Sequence, residues 1–422
     1  MKKRYGFFSI GVLILITIVC GSIYVYKKNN SVPYLTVFGT VNMKDGIGRQ
    51  SVDLIQALKD EVSINFISTD PVRTLDVPQE ILPFLKKKNK LRGEVAILED
   101  VVWLPNHASY KKFVRNTSKR QIKIAYSMFE STAIPYEWVF IFNNCFDAVV
   151  VPDRFLIDVY KRCGVKIPIF ELPLGLHLDA FLKESLPRKA HHPIVFGNLG
   201  VCVERKNQLT LLRAFAKAFG DSPDVLLRIN CRSGDDLLIE VIREEIDLLG
   251  LHNVEFTQTA LNGVEYLNLF KKLDCLVSLS KGEGYSIQPR EAMALGIPVV
   301  ITDNTAQSSL CRSGYARVVP SNIAEEAFYF GGMNCGEWYN CSVDEAAEAL
   351  IDVYTNYEIF LEKAMLSREW VQKYRYKNLK QFYINLVKPK QVILGHEDKI
   401  TEEYLMTTSE KLWLKYIKIN RQ

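Results

Sequence analysis

The sequence lacks the residue patterns that usually hold metal ions. Its 422 residues include nine cysteines but no Cys-x-x-Cys pair, six histidines, and no Asp-x-Asp anywhere. The cysteines are scattered and several fall in apolar stretches, which is typical of free, buried thiols. We therefore expect no structural zinc and no metal site, and we interpret His191 and His192 as linker residues.

Beyond its first 28 residues the chain also lacks an excess of charge of either sign. The formal net charge is +5, and residues 1–28 hold five Lys or Arg and no acid. Since five of the 53 basic residues lie there, 48 remain against 48 acidic ones. A generally basic surface that would coat nucleic acid is therefore not indicated.

One long apolar run stands out because charge is absent from it. Residues 6–26 are uncharged over 21 positions, and Lys or Arg residues lie on both sides of the run. As a helix it would span roughly 30 Å, the thickness of the hydrocarbon core. A cleaved signal peptide would carry an apolar stretch of about 7–15 residues. We predict a single-pass membrane anchor at 6–26, and the side of the membrane on which the body lies stays open.

From residue 31 onward short apolar strands alternate with helices of 10–15 residues. That alternation indicates parallel βαβ units, an α/β fold. The predicted strands are 34–38, 63–67, 94–98, 122–126, 146–151 and 167–170, then 194–197, 225–230, 254–257, 275–280 and 299–302. The polar, proline-bounded segment 181–193 separates the two series. We predict two doubly wound, Rossmann-like domains at 31–185 and 193–375 facing a cleft, and a helical tail at 376–422.

Two candidate phosphate-binding segments follow predicted strands. Gly46-Ile-Gly-Arg opens a helix, where Gly46 and Gly48 let the backbone approach a ligand and the helix offers free N–H groups. A simple strand–helix turn is an equally good interpretation. The third glycine of a dinucleotide fingerprint is missing, which disfavours a nicotinamide dehydrogenase. Arg205 and Lys206 precede the predicted helix 208–219 and suit a diphosphate, although a solvated charge pair is the alternative.

Two acids flank a glycine turn in GEGYSIQPREAMALGIPVV, residues 282–300. Glu283 lies between Gly282 and Gly284 after a strand, and Glu291 lies early in the next helix. A carboxylate there can accept two hydroxyl hydrogens of a sugar. A glycosidase also uses paired acids, but its acids flank the bond from opposite walls, whereas these share one wall.

The first domain offers acceptor-side candidates at the end of its strand 122–126. Glu130 and Thr132 could bind hydroxyl groups of an acceptor. A capping arrangement before a helix starting near Pro135 explains them equally well.

Together these segments resemble the GT-B-fold retaining glycosyltransferases of family 4, the glycosyl transferases group 1. The resemblance covers about residues 34–387. It rests on Gly46-Ile-Gly-Arg, Phe129-Glu-Ser-Thr, Pro173-Leu-Gly-Leu-His-Leu-Asp-Ala-Phe, Arg205-Lys-Asn, and Glu283-x7-Glu291 followed by Ala-Met-Ala-Leu-Gly-Ile-Pro-Val-Val.

The resemblance implies an enzyme that moves a sugar, of the hexosyl type, from a nucleotide sugar to a glycan or lipid-linked acceptor. It implies retention at the anomeric carbon, no metal, and a place in cell-envelope glycan synthesis. In that scheme Arg205 and Lys206 neutralise the leaving diphosphate, with Glu283 near the donor sugar and Glu291 on the ribose.

The glycines Gly46, Gly48 and Gly284 would lie beneath the donor, and His107 is the nearest candidate for a histidine that faces the sugar. A nucleotide-sugar epimerase and a catalytically inactive sugar-binding or scaffold protein are the alternatives.

Overall fold

The computed structural model describes residues 35–42, 46–70, 77–85, 93–184 and 190–387. The predicted anchor at 6–26 and most of the predicted tail lie outside these ranges. Within them, none of the helices combines the length and apolar character needed to span a bilayer.

The first domain is a parallel sheet with helices on both faces. Its strand order is β2-β1-β3-β4-β5-β6, and every pairing in it is parallel. The strands are β1 (Leu35–Gly39), β2 (Ile64–Ser68), β3 (Val95–Glu99), β4 (Ile122–Tyr126), β5 (Ala148–Val151) and β6 (Ile169–Glu171). The helices are α1 (Gly46–Leu58), α2 (Ser109–Asn116), α3 (Tyr136–Cys145), α4 (Arg154–Arg162) and α5 (Asp179–Leu182).

The second domain repeats this architecture. Its sheet order is β12-β11-β10-β7-β8-β9, again parallel. The strands are β7 (Ile194–Cys202), β8 (Val225–Gly234), β9 (Val254–Thr257), β10 (Cys275–Ser278), β11 (Val299–Thr302) and β12 (Arg317–Val319). The helices are α6 (Gln208–Phe219), α7 (Asp236–Leu248), α8 (Gly263–Lys271), α9 (Ile287–Leu295), α10 (Ser308–Cys311), α11 (Val343–Thr355) and α12 (Tyr357–Trp370).

Strands buried on both faces of such sheets read as continuous apolar runs, and β5 and β11 have this character. The four residues of β5 and of β11 are all buried. The predicted doubly wound α/β architecture is therefore confirmed, and the expectation of free thiols is confirmed for the eight cysteines that are described.

A two-stranded antiparallel hairpin, absent from the predicted strands, leaves the second domain after β12. It consists of β13 (Ile323–Tyr329) and β14 (Met333–Asn340), joined at Gly331-Gly332, where both glycines have positive φ. The Tyr329 ring lies 4.7 Å from that of Phe129, centroid to centroid, so the hairpin packs on the first domain. The Ser131 hydroxyl also donates to the Cys335 carbonyl at 2.8 Å.

The last described helix, α13 (Tyr376–Val387), returns to the first domain. The Tyr383 hydroxyl accepts from the Gly175 amide at 2.8 Å and donates to the Pro173 carbonyl at 2.9 Å. Lys380 pairs with Glu61 just beyond α1 at 2.6 Å. The first domain's core is thus completed by a helix that follows the second domain in the chain.

Candidate active site

Arg205, Lys206, Glu283 and Glu130 meet where the carboxyl ends of the two sheets face each other. Arg205 and Lys206 lie in a short 3-10 turn, Glu204–Lys206, that follows β7. Glu283 follows β10, the neighbour of β7 in the sheet, and Glu130 follows β4 of the first domain. Carboxyl ends of parallel strands are where such sheets bind ligands.

Arg205 links the two domains through its guanidinium. Its Nη2 donates to Glu130 Oε1 at 3.1 Å, and its Nη1 lies 3.2 Å from Glu283 Oε2 and donates to the Gly282 carbonyl at 3.0 Å. Lys206 Nζ pairs with the other oxygen of Glu283. Two cations and two carboxylates therefore form one network, which the sequence predicted only as separate candidates.

Glu283 is held as a carboxylate. It is 5% exposed, and burial acts to raise its pKa, but Lys206 and Arg205 outweigh burial and lower that pKa to about 2. Ser280 Oγ donates to Glu283 Oε1 at 2.6 Å, and the Glu283 amide donates to Thr305 Oγ1 at 2.8 Å. Burial lowers the pKa of Lys206, and the ion pair acts against it.

The glycines around Glu283 allow a close approach between the domains. A Cβ at Gly282 would lie 2.0 Å from the Glu130 carbonyl oxygen, and one at Gly284 would lie 3.1 Å from Met128 Cβ. Gly284 thus lies against the first domain. Any larger residue at 282 would push Glu130 away from Arg205.

Glu291 lies in a second interdomain contact. It is 1% exposed on α9, forms an ion pair with Arg49 on α1, and accepts from the Tyr266 hydroxyl at 2.7 Å. The Arg49 guanidinium also lies 5.6 Å from the centre of the Tyr266 ring. The structure therefore places Glu291 with Arg49 and Tyr266 rather than in direct contact with Glu283, and its predicted role on a ribose stays a prediction.

Two further buried carboxyls lie behind Arg49 in the first domain. Burial raises the pKa of Asp53, one turn along α1, to about 7, although Arg49 acts to lower it. Burial likewise raises the pKa of Glu99, at the end of β3, to about 8 despite the nearby Ser51 and Gln50. Both groups titrate near neutral pH because water is excluded from them.

The glycine turn at the start of α1 is sterically required. A Cβ at Gly48 would lie 2.1 Å from the Asn42 carbonyl oxygen, which no side chain can accommodate. Gly46 faces the second domain, since its Cβ would lie 3.5 Å from Ile287 Cδ1 on α9. These contacts give both glycines a packing role, and their predicted role beneath a donor is not tested by them.

The other acceptor-side candidates have partners of their own among the described residues. Thr132 Oγ1 accepts from the Glu337 amide of β14 at 2.8 Å, so its hydroxyl already serves the hairpin contact. His107 Nε2 lies 3.3 Å from Asp100 Oδ2, and its backbone bonds Leu104. The structure brings Glu130 to Arg205 but gives no contact between His107 and that network within the described ranges.

Two residues beside the network tie it to the hairpin: Lys281, which no sequence pattern singled out, and Asn207 of Arg205-Lys-Asn. Lys281, 7% exposed, pairs with Glu325 of β13 at 2.5 Å, and its carbonyl accepts from the Tyr339 amide at 2.9 Å. Asn207 has φ 62 and ψ 34 before α6 and bonds Asn340 at 2.7 Å. The position of Lys281 directly before the turn Gly282-Glu-Gly284 was the sequence signal that could have identified it as a site residue. Where the chain is described, no group of three or more His, Cys, Asp or Glu could hold a metal ion.

Comparisons with known proteins agree with this geometry. Residues 183–328 match the family model described as Glycosyl transferases group 1, and this range contains Arg205, Lys206, Glu283 and Glu291. A viral protein provisionally named glycosyltransferase 45, from Sulfolobus islandicus filamentous virus (isolate Iceland/Hveragerdi), is 23% identical over 288 residues. That match covers 67% of this chain and 77% of the viral one.

Solved structures share the fold at low sequence identity. Anabaena HepE, solved in complex with UDP-glucose, has a TM-score of 0.63 and 10% identity, covering 85% of this chain and all of its own. WaaG, a glycosyltransferase involved in lipopolysaccharide biosynthesis, has a TM-score of 0.58 and 13% identity, covering 84% and 99%. The protein is therefore a glycosyltransferase with a two-domain fold of the GT-B type.

Proposed function

We propose that the protein transfers a sugar, of the hexosyl type, from a nucleoside diphosphate sugar to a glycan or lipid-linked acceptor, with retention at the anomeric carbon. The observation that carries the proposal is the network of Arg205, Lys206, Glu283 and Glu130 at the facing sheet edges. Its two cations lie just before the amino end of α6, which adds the free N–H groups and positive end of a helix.

The reaction needs negative charge to be stabilised on a departing phosphate. The bond between the anomeric carbon and the diphosphate oxygen breaks with its electron pair on the diphosphate. The acceptor oxygen then bonds to the same face of that carbon, and its proton passes to the departing phosphate. Arg205 and Lys206 are fixed before the reaction, so their stabilisation requires no reorganisation.

Donor binding would exchange ion partners in this network. In the structure, Glu130 occupies one side of the Arg205 fork and Glu283 the other. A diphosphate would take the place of Glu130 on Arg205, which would leave the Glu130 carboxylate beside the acceptor. Glu283 would keep Lys206 charged and accept from sugar hydroxyls, while Glu291 would meet the ribose.

Sequence patterns support two further parts of the proposal. Thr132 would bind acceptor hydroxyls because it follows β4 at the cleft, while His107 and the glycines beneath the donor would take the roles that the family resemblance implies. Residues 6–26 would anchor the chain in a membrane, in line with cell-envelope glycan synthesis. Alkaline carbonate treatment of membranes carrying the full chain tests the anchor, because release into the supernatant contradicts it.

A donor screen followed by product analysis tests the reaction. The full chain is incubated with UDP-, GDP- and ADP-sugars and candidate acceptors, with and without EDTA. We expect one donor to be consumed, with the same rate in EDTA, and NMR of the product to show the donor's anomeric configuration. Inverted product would contradict retention, and nucleotide binding without transfer to any acceptor would favour the inactive alternative.

A further inference from the structure

Three helices of the first domain form one outer layer. The chain runs from β3 to β4, β5 and β6 in a single direction across the sheet, so right-handed crossovers place α2, α3 and α4 on the same face. Their inner sides share one core, which includes Phe113, Trp138, Phe142 and Tyr160. Their outer sides form one surface of the first domain.

Aromatic side chains are exposed on the outside of α3. Tyr136 is 78% exposed and Phe140 is 60% exposed, and they lie one helical turn apart. Val114, on the neighbouring α2, is 39% exposed. Single exposed apolar residues are ordinary, but two aromatic rings on one stripe with an aliphatic neighbour form a patch.

Cations lie on one side of this patch, on α2 and just beyond it, and α3 itself carries one acid, Glu137. Between Asp100 and Glu130 the chain has six Lys or Arg and no acid. Five of them are exposed on α2 or just beyond it, namely Lys111, Lys112, Arg115, Lys119 and Arg120. Lys112 donates to the Ser68 carbonyl and Arg115 to the Lys111 carbonyl, which leaves their charges unneutralised. Counting described residues only, none of the five forms an ion pair.

The first domain thus has an aromatic-basic face, defined by Tyr136, Phe140, Val114 and the cations of 111–120. We propose that this face docks on the surface of a bilayer that contains anionic lipid. A Tyr ring settles among headgroups, where its hydroxyl stays hydrated and its ring meets apolar groups, and a Phe ring adds apolar area that the bilayer can bury. Clustered Lys and Arg are drawn to the negative surface potential of such a leaflet.

The orientation suits an enzyme that works at a surface. A helix between parallel strands begins at their carboxyl ends, so Tyr136 at the start of α3 lies nearest the cleft. It is six residues beyond Glu130 in the chain. Docking by this face would hold the rim of the cleft beside the headgroups. The inference depends on neither the donor chemistry nor the predicted anchor.

The second domain also has exposed apolar side chains, but they lie on an acidic helix. Leu237 and Leu248 at the two ends of α7 are 70% and 82% exposed. That helix, however, contains Asp236, Glu240, Glu244, Glu245 and Asp247 and a single Arg. If exposure of apolar groups alone drove association with lipid, α7 would bind as well as α3. If charge and aromatic rings act together, only the first domain will bind.

Photo-crosslinking to lipid tests the proposal on the full chain. The protein is reconstituted into phosphatidylcholine vesicles with or without phosphatidylglycerol, each with a trace of diazirine lipid, and labelled peptides are mapped by mass spectrometry. We expect labelling of 109–120 and 136–145 in the anionic vesicles, reduced about tenfold without phosphatidylglycerol and falling as salt rises. Labelling of 236–248 is expected to stay at background. Because labelling is resolved by peptide, any anchor at 6–26 reports separately.

Two surface variants complete the test, with α7 as the matched control. Tyr136→Ser with Phe140→Ser, and Lys111→Glu with Lys112→Glu and Arg115→Glu, should each abolish most labelling of the aromatic-basic face. Leu248→Ser should change nothing. Circular dichroism and thermal melting confirm that each variant folds. Equal labelling in neutral vesicles, labelling of 236–248 to the same level, or labelling that survives the charge reversal overturns the proposal.

Discussion

Arg49 of the first domain and Glu291 of the second form an ion pair in which the carboxylate side chain is 1% exposed. The pair joins α1 to α9, two helices that begin at the cleft. It ties the relative position of the domains to the residue that the family resemblance assigns to the ribose. Nucleotide binding at Glu291 would have to accommodate or displace Arg49.

Glu291→Gln should destabilise the protein measurably. Removing one partner of a buried pair leaves the other charge uncompensated, which costs about 3–5 kcal/mol. We expect a loss of unfolding free energy near the lower end of that range, because the Arg49 side chain is 21% exposed. Denaturant titration measures it. Adding Arg49→Met should restore at least half of the loss, and an unchanged midpoint in the single variant would contradict the pairing.

Lys206→Ala should lower donor turnover by about 10²-fold, the usual effect of removing one preorganised group that stabilises developing negative charge. Lys217→Ala is the matched control, since Lys217 lies on α6 close by in sequence and pairs with Asp344 at the surface. Its turnover should equal that of the wild type. Initial rates with the donor identified by screening decide the matter, and a Lys206→Ala rate within threefold of the wild type rules out the assigned role.

Glu130→Gln should strengthen the binding of a nucleoside diphosphate. The Glu130 carboxylate neutralises Arg205 at 3.1 Å, and a diphosphate has to compete with it. The neutral amide removes that competitor, so the dissociation constant should fall severalfold in calorimetry while transfer slows. Weaker binding in Glu130→Gln would mean that Glu130 holds Arg205 in its binding position instead.

Gly282→Ala should separate the domains at the site. Its Cβ would lie 2.0 Å from the Glu130 carbonyl oxygen, so backbone must shift and the contact of Arg205 with Glu130 must lengthen. We expect lower turnover and a melting temperature reduced by several degrees. At Gly263 a Cβ would meet no described atom within 4 Å, so Gly263→Ala should melt at or above the wild-type temperature. Equal melting of the two variants would refute the close approach.

Glu99→Gln should flatten the pH dependence of stability. The pKa of Glu99 is raised to about 8 from an ordinary value of 4.5, so the folded state holds a proton that the unfolded state has released. Stability is therefore present at low pH and declines as pH rises between those values, at up to about 1.4 kcal/mol per pH unit for one group. Denaturant titrations at pH 5, 6.5 and 8 should show that the unfolding free energy declines less with pH in the variant than in the wild type. An identical decline in both proteins would contradict the raised pKa of Glu99.

Much of the fold was predictable because apolar runs and turn residues carry it locally. The predicted segments 122–126, 208–219, 254–257 and 299–302 match β4, α6, β9 and β11 to the residue. The hairpin of β13 and β14 was missed because its strands alternate only weakly and its apolar side faces the other domain. Gly331-Gly332 was the signal that could have revealed it.

The site was predictable as a set of candidates, but its contacts between domains were not. Arg205, Lys206 and Glu283 share one sheet edge, so their proximity follows from strand order. The contact of Arg49 with Glu291 joins residues 242 positions apart on separate domains, and no local pattern encodes it. Thr132 gives a second example: contact with an acceptor or a capping arrangement was predicted for it, and its hydroxyl accepts from the hairpin backbone.

The return of α13 to the first domain makes neither lobe an uninterrupted stretch of the gene. A chimaera joined in the linker at 181–193 would combine one parent's Gly175 and Glu61 with the other parent's Tyr383 and Lys380. Exchange of the donor lobe between related enzymes therefore needs a second crossover before residue 376, so that the closing helix travels with the lobe it covers.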